Sequence, residues 1–325
     1  MCAFQDFVII EVVNEETTRW LLEGDRSIQY QVHRDLLGVD RPDLRKRIET
    51  EGWGADILSR RRPDGHWGRK FYQPKWTSTH YTLLDLRNLC ISPSNRVIRE
   101  SIDIVAENEK AKDGGILPIG KAQLSDLCIN GMFLNYAAYF KTAQEHLESV
   151  VDCVLSQVMP DGGFNCMLNR TGAVHSSLHT TISVLEGITE YESNGYDYRL
   201  PGLRKATHSA KEFILRHKLY FSHRTGEIIH KDFLRLSFPC RWRYDFLRAL
   251  DYFRYSGTEF DPRMQPAIDL LIKKKGKDGR WRLGAKHPGQ VHFEMEKAGK
   301  PSRWNTLRAL RVLRRFERQS NSAKA

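Results

Sequence analysis

Asp-Gly followed within two residues by an aromatic is written three times in this chain of 325 residues: Asp64-Gly65-His66-Trp67, Asp161-Gly162-Gly163-Phe164 and Asp278-Gly279-Arg280-Trp281. A fourth copy, Asp113-Gly114-Gly115-Ile116, carries an aliphatic in the aromatic's place. Thr225-Gly226 fills the long gap before the last copy. Asp64, Asp113 and Asp161 stand 49 and 48 residues apart, and Asp161 to Asp278 is 117 residues. Asp-Gly does not propagate a helix and favours a tight turn, because Gly accepts positive φ. A motif returning at about fifty residues means an array built from one supersecondary unit.

The stretches around each turn say what that unit is. Leu44–Arg60, Arg96–Glu109, Leu147–Val158, Lys205–His217 and Ala267–Lys274 precede the turns and place apolar residues at three- and four-residue steps, the pattern of a helix with one buried face. After each turn a loop leads to a second helical stretch, beginning near Tyr81, Met132, Ile182, Phe246 and Leu307; the last two, Phe246-Leu247-Arg248-Ala249-Leu250 and Leu307-Arg308-Ala309-Leu310, nearly coincide. Two further helices, Thr17–Glu23 and Ser27–Leu37, lie upstream. The expected fold is therefore all-α, with about twelve helices arranged as stacked hairpins, since one hairpin cannot bury both its faces. Periodicity alone leaves an open solenoid and a closed ring equally available. The expected organisation is a helical segment at 1–41 packed on the repeats, a repeat domain at 42–318, and a disordered tail at 319–325.

Composition narrows the class. A mean hydropathy of -0.53 argues against a membrane-spanning segment. Phe7–Val13 is short, carries Glu11, and lacks the flanks of a signal peptide. A cytoplasmic location is expected, with a peripheral position at the membrane surface as its variant. Cysteines 2, 90, 128, 153, 166 and 240 have no framework spacing and read as free thiols or ligands. From Leu271 onward there are 16 basic and 4 acidic residues, against 35 and 36 in the preceding 270. Arg308, Arg311, Arg315 and Arg318 recur opposite Leu307, Leu310 and Leu313, which reads as a solvated helix face. The same block is the candidate surface for an acidic partner. Nucleic acid is disfavoured, because the aromatic residues there keep the phase of the repeat and suit packing better than base stacking.

Asp-Gly-x-Trp turns at this period, each followed by a helix entered through an aromatic or Thr, resemble the squalene cyclase and protein prenyltransferase superfamily over roughly residues 45 to 317. Together with Trp20-Leu21-Leu22-Glu23-Gly24-Asp25, they look like bacterial single-chain proteins described as squalene-cyclase-like. The resemblance implies an α/α toroid, with inner and outer helices around a central cavity. Neither the Asp-x-Asp-Asp acid of class II cyclases nor the Asp-x-x-Asp-Asp box of class I synthases occurs, so ordinary terpene cyclisation is disfavoured. The prenyltransferase branch binds zinc through Asp-x-Cys at one inner helix and a His on a later one. Asp126-Leu127-Cys128 and His179-Thr180-Thr181 match this in residue type, order and repeat phase. The resemblance thus implies zinc held by Asp126, Cys128 and His179. Gln123 and Ile129 depart from the family pattern, so protein prenylation itself is not carried over.

Zinc accepts thiolate, imidazole and carboxylate, and a catalytic site keeps a fourth position open. Cys166 is a candidate fourth ligand, which would make the metal structural. His175, four residues before His179, is expected on the same helical face as a ligand, an orienting neighbour or a general base. Tyr136 is the other candidate catalytic residue. Trp67, Phe164 and Trp281 read as packing staples. Trp76, Trp242 and Trp304 stand at inner-helix entrances and are candidates to line the cavity, with His80, Arg241, Arg243 and Tyr244. The expected function is a zinc-containing transferase or related enzyme acting on a thiol or isoprenoid-like substrate. A non-catalytic ligand- or protein-binding toroid with a structural metal is one alternative, and a cyclase-type enzyme without Asp-x-Asp-Asp is the other.

Overall fold

A computed structural model describes residues 14–118 and 123–322, apart from the side chains of 169–170 and 317–322. The described chain is helical, and its β pairing is limited to three isolated bridges. α1 (Glu15–Leu22) and α2 (Arg26–Val32) form an N-terminal pair, and α2 runs on into a π-helical turn at His33–Leu37. There follow α3 (Pro42–Arg47), α4 (Gly52–Leu58), α5 (Thr79–Asn88), α6 (Arg96–Asn108), α7 (Leu127–Tyr139), α8 (Gln144–Ser156), the single turn α9 (Leu168–Thr171), α10 (Leu178–Ser193), α11 (Leu200–Arg216), α12 (Phe246–Tyr255), α13 (Gln265–Lys273) and α14 (Arg303–Ser322). None of the helices among the described residues is long and apolar enough to cross a membrane.

Two expected boundaries move. The helix expected over Leu44–Arg60 is two, α3 and α4, because Gly52 takes φ +65°. The Asp25 carboxylate fills the space where a Cβ would stand there and accepts the Trp53 N–H at 2.8 Å. At the other end α14 continues to Ser322, through part of the expected tail; no Gly or Pro interrupts it from Arg303 onward.

The repeated turns do the same work each time. Gly65, Gly114, Gly162 and Gly279 have φ between +75° and +97°, and Gly226 has +73°. The second residue after each of the first four, Trp67, Ile116, Phe164 or Trp281, is fully buried. Trp67 and Trp281 donate their indole N–H to Ile57 and Leu271 carbonyls, at 2.8 Å in both cases. Their backbone N–H groups, and that of Phe164, donate to the hydroxyls of Thr79, Thr306 and Thr181, each at 3.0 Å. Ile116 donates instead to the Asn130 side-chain carbonyl at 2.7 Å. A Thr or Asn at the start of each following helix thus pins the turn to that helix, satisfying a buried donor that would otherwise cost about 1–3 kcal/mol.

The second helices of the repeats pack in series, α5 on α7, α7 on α10, α10 on α12 and α12 on α14. α7 and α10 approach most closely. A Cβ on Gly131 would stand 2.6 Å from the Ser183 and Val184 backbone, and one on Gly187 would strike the Gly131 carbonyl. The first helices α6, α8 and α11 pack on one another, and α8 and α11 pack also on α7 and α10. α14 packs on α2, and α2 on α4. Arg303 donates to the Trp20 carbonyl at 2.9 Å, and Trp53 stacks on Trp304 with ring centroids 6.2 Å apart. One hydrophobic core runs through all of this, from Leu21 to Phe316.

Two of the four arginines of α14 expected to be solvated are not; Arg315 is partly exposed, and the side chain of Arg318 lies outside the described residues. Arg308 is buried, and Arg311 bonds Asp35 at 2.9 Å and pairs with Asp251. An Arg at helical spacing looks like a surface residue in sequence, but here α14 is covered on that side by α2 and α12, whose carboxylates meet it.

Candidate functional site

Near their starts, α7 and α10 each carry a side chain that reaches the loop of the following repeat. Cys128, two residues before Asn130, hydrogen-bonds with Cys166 in the loop ahead of α10; this bond, then burial and the nearby Asp126 charge, pushes its thiol well above the usual range. His179, two residues before Thr181, turns to the loop ahead of α12. Its Nδ1 accepts the Tyr244 N–H at 2.8 Å, and its ring packs edge-on against Phe233 and Trp242 at 5.3 and 5.1 Å. Burial, with the positive charges of Arg248 and Arg243, lowers its pKa to about 4. It is therefore neutral, with the proton on Nε2.

This geometry does not build the expected metal centre. Among the described residues, no three His, Cys, Asp or Glu side chains are gathered so that they could hold a metal ion. Cys128 and Cys166 do meet, while His179 has its own partners one repeat further on. Equal phase places residues at equal height on successive helices, and each then makes the equivalent contact with its own neighbour rather than a shared one.

The two expected catalytic residues also separate. α10 begins at Leu178, so His175 lies in the preceding loop, exposed, instead of sharing a helical face with His179. Its carbonyl accepts from Asn165. Tyr136 is wholly buried and its hydroxyl lies 3.2 Å from His80 Nδ1. His80 is itself fully buried among Phe71, Tyr72 and Tyr81, and burial lowers its pKa to about 3. These two are core groups bonded to each other, and His80 Nε2 is left buried without a hydrogen-bond partner.

Trp76 and Arg241 come together as a real constellation. The Arg241 guanidinium lies 4.5 Å from the Trp76 ring centroid, and Lys75 bridges the rings of Trp76 and Trp242 at 5.0 and 5.2 Å. Trp76 donates its indole N–H to the Pro288 carbonyl at 2.7 Å. The loop of the last repeat thereby crosses to the first, and His292 adds a second tie, 2.8 Å from the Thr82 hydroxyl. Under this loop is a cavity of about 280 Å³ lined by Ile57, Phe238, Val291, Phe293 and Met295 and, on its polar side, by Asp85, Ser237, Arg241, Lys286, His287, His292, Glu294 and Glu296. Arg243 stacks on Trp242 at 4.8 Å, and Tyr244 is buried with its hydroxyl on the Leu219 carbonyl.

Asp85 is the residue that sequence reasoning passed over. It lies on α5, 5 % exposed, with Oδ2 3.8 Å from Arg241 and Oδ1 without a partner. Burial raises its pKa to about 6 against the opposing pull of Arg241. Arg241 Nε and His287 Nε2 are likewise buried without partners, and Arg241 holds a left-handed backbone, φ +54°, a strain that clusters at functional sites. Burial, then Arg243 and Arg241, keeps His287 near 4; burial, then Arg60 and Arg241, does the same for His292. The cavity thus holds in Asp85 a carboxyl able to exchange a proton near neutral pH, with neutral imidazoles beside it; the Glu294 and Glu296 carboxyls also line it, and burial raises the pKa of Glu296. Its signal in the sequence was a charge inside the apolar run Tyr81-Thr82-Leu83-Leu84-Asp85-Leu86.

A second chamber of about 140 Å³ adjoins the first, with Phe238 and Arg241 lining both. Seven of its lining residues are arginines, 34, 87, 241, 248, 254, 308 and 311. Glu186 takes Arg248 at 2.6 and 2.9 Å, Glu190 takes Arg87, and Asp251 takes Arg254 at 3.0 Å and Arg311. Trp304 lines this chamber and stacks on Phe238 at 4.3 Å. Compared with models of known protein families and with curated proteins, the chain matches none.

Proposed function

We propose that the chain is a closed α/α toroid of the terpenoid cyclase and prenyltransferase kind, and an enzyme that transfers a proton to or from a substrate held in its central cavity. The Asp85 carboxyl carries this reading: it is buried, it lines the 280 Å³ pocket, its Oδ1 has no hydrogen-bond partner, and its pKa of about 6 gives it both forms near neutral pH. A group so poised is suited to general acid–base catalysis. The contacts of α14 with α2 and of Trp304 with Trp53 support ring closure. The apolar part of the lining, Ile57, Phe238, Val291, Phe293 and Met295, favours a substrate with an apolar body, and an isoprenoid-like one fits it.

Among the readings raised by the sequence, this one stands with a cyclase-type enzyme lacking Asp-x-Asp-Asp. Asp85 would supply alone the proton that paired carboxylates supply there. The zinc–thiol transferase falls behind it because Cys128 and His179 serve different neighbours.

The test uses the full chain and its Asp85→Asn variant with a panel of linear isoprenoid alcohols and hydrocarbons. Thermal shift reports binding and gas chromatography with mass detection reports products. Expected is a product from the wild type that Asp85→Asn forms at least ~100-fold more slowly, with the ligand's thermal shift retained. If compounds bind but the wild type converts none, the chain is a carrier. If Asp85→Asn is as active as the wild type, the acid is another group.

A further inference from the structure

The arginine chamber is short of negative charge on its own surface. Its seven arginines face three lining carboxylates, Glu186, Glu190 and Asp251. Asp35, Asp85 and Asp245 reach the same arginines from behind, at 2.9 Å to Arg311, 3.8 Å to Arg241 and 4.0 Å to Arg308. One guanidinium charge therefore remains unmatched, and a second when Asp85 is protonated. The shortage is local. Arg87 Nε and Arg241 Nε are buried without hydrogen-bond partners. Arg308, Arg311 and Arg254 all draw on the one carboxylate of Asp251.

Burial lowers the proton affinity of Arg241, and burial with the neighbouring Arg311 lowers that of Arg254. The other five, Arg34, Arg87, Arg248, Arg308 and Arg311, are raised by their acidic neighbours, which leaves Arg241 and Arg254 as the two least well matched. Arginine forks bind oxyanions through paired N–H donors, and such bonds gain strength where water is excluded. The chamber's size suits a head group, whereas the apolar pocket next to it is twice as large and suits a body. The two meet at Arg241 and Phe238.

We propose that the arginine chamber binds the oxyanion end of an amphipathic ligand, a phosphate or a carboxylate, while the apolar part lies in the adjoining pocket past Arg241. This rests on the central cavity being where the substrate binds, and it names the polar end of that substrate. Arg241 and Arg254 are the donors with least competition, and Arg87 contributes its free Nε.

Isothermal titration of the full chain with orthophosphate, hexyl phosphate and hexanol, at ionic strength fixed with chloride, tests this. Expected is binding of both phosphates, hexyl phosphate at least ten-fold tighter than orthophosphate, and a ten-fold or greater loss for both in Arg241→Gln and Arg254→Gln. Because either variant can lose its fold, the wild type is also labelled with phenylglyoxal and mapped by mass spectrometry; hexyl phosphate is expected to protect Arg241 and Arg254. No binding above the chloride control, or labelling unchanged by hexyl phosphate, overturns the proposal. Equal affinity for orthophosphate and hexyl phosphate overturns the amphipathic part and leaves a free-anion site. Asp85→Asn separates this from the reading it rests on. It is expected to keep phosphate binding while losing turnover, whereas phosphate binding alongside turnover indifferent to Asp85 sinks the acid and spares the chamber.

Discussion

Asp85 and Arg241 form an ion pair without a hydrogen bond: the charged groups stand 3.8 Å apart, both side chains are 6 % exposed, and Oδ1 and Nε have no partners. The carboxyl consequently ends above its ordinary pKa, because the cost of taking it out of water exceeds the attraction of one misaligned guanidinium. Glu212 shows the opposite balance. Arg263 grips both its oxygens at 2.9 and 3.0 Å near the surface, and its pKa falls. Geometry and burial, more than the identity of the partners, decide the sign. The pair at the pocket is left able to exchange a proton.

That balance predicts a pH-dependent stability. The carboxyl goes from 3.8 unfolded to about 6 folded, so the folded state holds the proton more tightly. Its stabilising contribution is complete below about pH 4 and is lost as pH rises through about 6. The difference amounts to at most ~3 kcal/mol. Asn stays neutral throughout, so Asp85→Asn is expected to match the wild type at pH 4 and exceed it by ~2–3 kcal/mol at pH 8. Urea unfolding of both proteins at pH 4, 6 and 8 measures this. A gap that does not change with pH would mean that Asp85 does not carry the titration.

The turn-to-helix clasp predicts three matched losses. Thr79→Val, Thr181→Val and Thr306→Val keep the shape of the side chain but strip the acceptor from the buried N–H of Trp67, Phe164 and Trp281. Each is expected to cost about 1–3 kcal/mol, and Thr→Ser at the same positions to recover most of it. Equilibrium unfolding is the readout. Stability unchanged by all three valines would show that the hydroxyls do not hold the turns.

The α7–α10 crossing makes a third prediction. Gly131→Ala and Gly187→Ala press a methyl into the facing backbone, which cannot yield as a flexible side chain does. Each is expected to destabilise by about 2–4 kcal/mol, and the double variant by less than their sum, since one forced separation admits both methyls. Gly195, at φ +89° with nothing near its would-be Cβ, is the control. Gly195→Ala meets only backbone strain, expected at about 1–2 kcal/mol. Equal losses at all three glycines would discount the close approach.

Much of the architecture could be read from the chain, because its signals are local. A Gly at positive φ, a buried aromatic beside it and an apolar stripe before it each need only a few neighbouring residues, and the helices α6, α8, α11 and α13 lie close to where the spacing puts them. The Thr79, Thr181 and Thr306 acceptors were equally regular in sequence, yet their role depends on a partner 12, 17 or 25 residues away. Repeat phase gave the height of Cys128 and His179 on their helices but not which neighbour each would face.

Sequence alone determined that this is an all-α chain of repeated hairpins punctuated by glycine turns, since turn chemistry and helical periodicity are properties of short segments. Only the tertiary structure decided what the charges are for. Arg308 and Arg311 look like surface residues until α2 and α12 cover them with Asp35 and Asp251. Asp85 looks like an interruption in an apolar helix until Arg241, 156 positions later, arrives beside it from another repeat. Desolvation and pairing are set by what packs against a group, and that is fixed by the fold as a whole.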